Sequence, residues 1–127
     1  PKNTKKFTMV NKILLPQEIE TFYIIPTIRK HIAINLKNRG LKQKEIAEIM
    51  MINTSAISQY SSTKRGNRII LNKEIQKEIE NSCKTIKDQV SYIKSIQNIL
   101  KFIRKSYICQ IHKQISKVPK ECKSCMD

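Results

Sequence analysis

From Leu71 to Lys117 the sequence contains neither glycine nor proline, the two residues that most readily end a helix. Apolar residues recur through this run at Ile75, Ile79, Ile86, Val90, Ile93, Leu100, Ile103, Tyr107 and Ile111, with gaps of three, four or seven. That spacing lays an apolar stripe along a helical face. The run is too long for one ordinary helix of a small domain. Either it breaks near Asn81–Ser82, or it forms long helices that bury the stripe against a second subunit. A homodimer is the favoured expectation and an intramolecular core the alternative. Upstream, Pro26 suits the first turn of a helix, where its missing N–H costs nothing. Ile28, Ile32 and Leu36 follow at four-residue spacing, and Gly40 is placed to stop that helix. Leu14–Ile25 is compatible with a short extended segment or a single helical turn. With two glycines in 127 residues, and Ile, Lys, Gln and Glu recurring at helical spacing, the expected class is all-α.

The length allows one domain plus an extension. The expected division is a basic arm over 1–13, a compact helical domain over 14–70, and a helical dimerisation and cofactor-binding region over 71–127. Residues 1–12 carry four lysines and no acid, so the arm suits a polyanion or plain solvent. The net charge of +15 favours a polyanionic partner, which an RNA-binding or ribosome-associated protein would share. No apolar run reaches the roughly 18 residues of a membrane span. The first residues, PKNTKKF, lack the apolar stretch of a signal peptide. A cytoplasmic location is therefore expected, where thiols stay reduced and structural disulfides are disfavoured. No carboxylate pair, Ser-His-Asp set or phosphate-cradling glycine loop is present, so an enzyme is not expected.

The segment Leu41–Arg68, LKQKEIAEIMMINTSAISQYSSTKRGNR, reads as two short helices joined by a tight turn and followed by a basic stretch. With Gln43 as the first position of a helix-turn-helix, Ile46 faces inward and Ala47 falls where the helices cross and only a small side chain fits. Ile49 and Met50 complete the buried face, and Ile52 plugs the turn. Asn53 or Thr54 can cap the second helix, since a short side-chain oxygen accepts from its free N–H groups. Ile57 and Tyr60 face back onto the first helix. Ser55, Ala56, Ser58 and Gln59 are then expected outward, the face a recognition helix presents to a major groove. No Asp or Glu lies between Glu48 and Glu74, while Lys64, Arg65 and Arg68 do, which suits a phosphate backbone. Gly66 is placed to let those basic groups approach. Asn72 can cap the next helix. Arg29 is either a phosphate contact or a partner for Glu18 or Glu20. Met51 occupies the turn position where glycine is common, which requires a left-handed backbone or a differently shaped turn.

Cys83, Cys109, Cys122 and Cys125 are the only cysteines. The last two form a Cys-x-x-Cys, whose turn lets both sulfurs converge on one ion or cluster. If the tail helices are antiparallel, all four thiolates can meet at one end of the bundle. Four thiolates satisfy an iron–sulfur cluster or a structural zinc, and His112 can replace one cysteine in a zinc site. Scattered ligands suit a cluster somewhat better than a zinc knuckle, which uses two close pairs. Inert buried thiol is the other reading for Cys83, near the apolar stripe. An oxidoreductase dithiol lacks its usual βαβ context.

The segments FYIIPTIRKHIA and QKEIAEIMMINTSAISQYSSTKRG, with late cysteines in a helical tail, resemble the archaeal transcriptional regulators that carry an Xre-like helix-turn-helix. IPTIR and AISQY followed by KRG are the most specific pieces, and the resemblance covers roughly residues 14–125. It implies a lambda-repressor-like fold and a DNA-binding regulator, in which Gln43, Ser55, Ser58 and Gln59 lie at the major groove and Lys64 and Arg65 at the backbone; Thr54, Ala56 and Arg68 complete the expected DNA-contacting set. It further implies a [4Fe-4S] or [3Fe-4S] cluster on Cys109, Cys122 and Cys125, with Cys83 as the fourth candidate and zinc as the alternative metal. The expected partners are a palindromic operator in double-stranded DNA and a second copy of the chain. Met51 in place of glycine departs from the family pattern.

Overall fold

The computed structural model describes residues 15–61, 69–108 and 110–111, and all its regular elements are helices. They are α1 (Pro16–Ile19), a π turn (Glu20–Ile24), α2 (Ile25–Asn38), α3 (Gln43–Met50), α4 (Thr54–Ser61), α5 (Lys73–Cys83) and α6 (Gln89–Ser106). The all-α expectation stands.

The first three elements are one continuous rod, so the segment left open between strand and turn is helical. Pro16 opens it at a position whose N–H is dispensable, and Glu18 reaches back to accept from the Leu15 N–H at 2.8 Å. Pro26 therefore sits inside a helix, not at a free start. Proline there removes a donor and crowds the carbonyl four residues earlier. The π turn absorbs this: the Ile25 N–H donates to the Glu20 carbonyl, five residues back, and the extra residue widens the ladder just before the ring. Thr27 adds its hydroxyl to the Tyr23 carbonyl at 2.7 Å.

α2 ends as expected at Gly40, whose φ of 98° is left-handed. The Gly40 N–H reaches the Lys37 carbonyl and the Leu41 N–H the Leu36 carbonyl, the paired bonds of a Schellman close. α5 starts at Asn72, whose Oδ1 accepts from the Ile75 N–H at 2.9 Å. Asp88 does the same for α6, accepting from the Ser91 N–H at 2.8 Å.

The glycine- and proline-free run breaks at Lys84–Asp88, slightly later than the expected Asn81–Ser82. α5 and α6 then lie antiparallel: the Tyr107 hydroxyl meets Glu74 at the start of α5, and the Ser95 hydroxyl meets the Ser82 carbonyl near its end. Ile75, Ile79, Ile86, Leu100, Ile103 and Ile111 are buried within this single chain. Most of the stripe is thus internal core, the alternative to burial against a second subunit. Val90 and Ile93 are exposed instead, 62% and 46%, while Tyr92, Ile96 and Ile99 face inward. Ile93 lies two turns from the buried Leu100 on the same side of α6, so its exposure reflects what covers the first turns of the helix and not a change of helical phase. Ile19 of α1, Ile32 of α2, Ile46 of α3, Ile57 of α4, Ile79 of α5 and Ile99 of α6 belong to one core cluster, which also includes Ile69 and Leu71. The core therefore continues across position 70.

Candidate nucleic-acid interface

α3 and α4 have eight residues each and are joined by Met51–Asn53. Ile46, Ala47 and Met50 are buried on α3, and Ile57 and Tyr60 on α4, as the spacing requires. Ile49 and Ile52 pack half-buried against the same core. The turn closes like the end of α2, with the Ile52 N–H on the Ala47 carbonyl at 3.0 Å and the Met51 N–H on Glu48 at 3.3 Å. Met51 adopts the left-handed backbone, φ 57°, so the usual turn shape is kept despite the absence of glycine. Asn53, not Thr54, caps α4: its Oδ1 accepts from the Ala56 N–H at 2.9 Å and the Ser55 hydroxyl at 2.7 Å.

The outward face of α4 differs from expectation at Ala56 and, in part, at Gln59. Ser55 and Ser58 are exposed, Thr54 is exposed at the first position, and Gln59 is half-buried. Ala56 is buried, 5% exposed. It shares an inward arc with Ile57 and Tyr60, and with Ala47, Ile52 and Asn53 it lines the depression beside the turn. Its lack of a side chain beyond Cβ serves the close packing of α3 and α4, which excludes it from the reading face. Gln43 is exposed at the head of α3, and its Nε2 donates to the Thr54 carbonyl at 2.9 Å and the Ser58 hydroxyl at 2.6 Å. It joins the two helices at the edge of that face. Lys64, Arg65 and Arg68 lie outside the described residues.

Arg29 corrects another expectation. Glu18 is used as a cap, and Glu20 pairs with Arg104 through two bonds of 2.5 and 2.9 Å. Arg29 instead turns into the fold against Tyr60 of α4 and Tyr92 of α6. Burial opposes its charge, while the two phenols favour it. Among the described residues its Nε and the Tyr92 hydroxyl lack a well-formed hydrogen bond, although the guanidinium and the phenol lie close enough to act on each other. The sequence signal for this cluster was Tyr92 itself, which lies off the counted stripe.

Cys83 is a core residue, 2% exposed, and burial pushes its thiol up to about 11, with Arg39 partly opposing the shift. The Arg39 guanidinium donates to the carbonyls of Cys83 and Ile86 at 2.8 and 3.0 Å, fixing the turn after α5. Cys83 sits at the end of α5, level with Ser95, and from Ser95 α6 rises about 16 Å to Ser106. Cys109, Cys122 and Cys125 lie outside the described residues, and among the described residues no group of three or more metal-ligating side chains occurs.

No helix among the described residues is long and apolar enough to cross a membrane. No family model, curated protein or solved structure matches this chain.

Proposed function

We propose that the chain is a sequence-specific DNA-binding regulator, acting as a repressor, in which α3 and α4 form a helix-turn-helix and α4 enters the major groove. The observation that carries this reading is the two-sided α4: Ile57 and Tyr60 anchor it, while Ser55 and Ser58 stand exposed with Gln43 bracing Ser58. Exposed polar groups on a helix held by its opposite face can meet base edges. The carboxylate-free segment with Lys64, Arg65 and Arg68 supplies phosphate contacts. Thr54 stands at the N-terminus of α4, where a backbone phosphate is favoured. A second copy of the chain would let a twofold pair read a palindromic operator. The setting consistent with this role is the cytoplasm. Gln59→Ala should weaken the selected operator by about 1–3 kcal/mol and relax preference at one base pair. Arg65→Ala should weaken all duplexes alike. Selection of bound duplexes from a random pool, followed by titration of both variants, tests this; identical behaviour of the two ends the assignment of roles.

The cofactor reading rests on the tail. Cys109, Cys122 and Cys125, with Cys83 as the fourth candidate, are the residues we propose to hold a [4Fe-4S] or [3Fe-4S] cluster, or a zinc ion with His112 as a further ligand. A bound cluster would supply a redox-sensitive group responsive to oxygen, sulfide or iron. Iron, zinc and sulfide analysis of anaerobically purified protein decides between the two metals, and protein lacking all three ends the cofactor reading.

A further inference from the structure

α6 has a charge asymmetry that neither the core nor the proposed reading helix uses. Its 18 residues include no Asp or Glu. Lys94, Lys101 and Lys105 are all exposed. At about 100° per residue they fall within roughly a 40° arc, and they span about 16 Å of helix axis. Gln97 and Asn98, also exposed, lie between them. Arg104 flanks the stripe and is the basic side chain that the described residues place in an ion pair, with Glu20. Asp88, at the start of α6, is the carboxylate that acts on Lys94, and no carboxylate faces Lys101 or Lys105 from α6 itself. α5 differs: Glu74, Glu78 and Glu80 alternate with Lys73 and Lys77, so its exposed charges offset one another at helical spacing.

The stripe begins beside the α3–α4 unit. The Gln89 side-chain amide donates to the Glu48 carbonyl at the end of α3, at 3.0 Å, and Lys94 lies about 8 Å further along the helix. We infer that the Lys94–Lys101–Lys105 face of α6 is a second contact surface for duplex DNA, gripping phosphates that flank the segment read by α4. This rests on the DNA-binding reading above. Each strand presents one phosphate per about 3.4 Å of duplex axis, so a stripe of this length can meet several. The same face is unsuited to an isologous seam, which would set each lysine against lysines of the other copy. Gln97 and Asn98 add donors suited to phosphate oxygens. The contact is with the backbone and carries no sequence information.

The test compares Lys94→Gln/Lys101→Gln/Lys105→Gln with Lys73→Gln/Lys77→Gln/Lys84→Gln. Both remove the same charge from exposed positions and substitute a good helix former, and circular dichroism verifies the fold of each. Affinity for selected and unrelated duplexes is measured against salt concentration. The α6 variant should flatten the slope of log K against log salt by about one per lysine, two to three in all. The effect should be equal on both duplexes, and the α5 variant should keep the wild-type slope. Equal slopes in the two variants, or no change in the α6 variant, overturn the stripe while leaving the α4 reading intact. So does a changed oligomeric state, or a loss confined to structured RNA or anionic vesicles. A wild-type protein that binds no duplex at any salt overturns both proposals.

Discussion

The Gln43 side-chain amide donates to the Ser58 hydroxyl at 2.6 Å and to the Thr54 carbonyl at 2.9 Å. One residue at the head of α3 thus holds both the entry of α4 and the middle of its exposed face. An exposed neutral hydrogen bond contributes about 1 kcal/mol or less to stability, so the larger consequence is orientational. Gln43→Ala should leave unfolding within about 1 kcal/mol of wild type yet weaken operator binding by more than that. The Ser58 hydroxyl loses its brace and must be ordered on binding. A double-mutant cycle of Gln43→Ala and Ser58→Ala in operator affinity should show coupling of about 0.5–1.5 kcal/mol. Strict additivity means that Gln43 acts on the DNA independently of Ser58.

Two helices of this protein end with the same backbone shape and opposite residue choices. Gly40 closes α2 at φ 98° and Met51 closes α3 at φ 57°. The left-handed region costs an ordinary L-residue about 1–2 kcal/mol and costs glycine nothing. Met51 is half exposed, so its side chain returns only part of that by burial. Met51→Gly should therefore stabilise the fold by about 0.5–1 kcal/mol, after the larger unfolded-state freedom of glycine is counted. Gly40→Ala should destabilise it by about 1–2 kcal/mol, although a Cβ there meets nothing within 4 Å. Urea unfolding of the two variants reads both signs. A destabilised Met51→Gly protein would show that the methionine side chain contributes more through contact than its exposure suggests.

The elements were legible in the sequence wherever local chemistry decides them. Gly40, Asn72 and the inward set Ile46, Ala47, Met50, Ile57 and Tyr60 follow from caps and 3.6-residue spacing, and all appear where that spacing puts them. What failed needed information from across the fold. Ala56 has no polarity to mark its side of the helix, and only the close approach of α3 and α4 assigns it inward. Val90 and Ile93 were counted on the stripe from spacing alone, which does not say what covers each turn, and at the start of α6 the described residues leave them exposed. Arg29 carries a charge that usually marks the surface, and its place against Tyr60 and Tyr92 depends on α2, α4 and α6 meeting. Cys83, near the apolar stripe, was read either as a ligand or as an inert buried thiol, and the turn after α5 holds it in the core.

That turn gives Cys83 a measurable signature. Burial holds the thiol in its neutral form and pushes its ionisation from 9.0 up to about 11. The folded state therefore binds the thiol proton more tightly than the unfolded chain. The stabilisation linked to this proton is fully present below pH 9 and is lost as pH rises towards 11. Two pH units correspond to roughly 2–3 kcal/mol. Tyr92, also raised by burial, adds an alkaline loss of the same sign, so the thiol contribution must be isolated by difference. Cys83→Ala should lower stability at pH 8 by about 1–2 kcal/mol through lost packing. Its further decline between pH 8 and 11 should be shallower than that of wild type by roughly the amount linked to the thiol. Chemical unfolding of both proteins at pH 8, 9.5 and 11 supplies the comparison. In the native wild type at pH 8 this thiol should also resist a thiol-directed reagent until urea is added. Rapid modification of Cys83 without denaturant, together with parallel pH profiles for the two proteins, would instead place the sulfur at the surface.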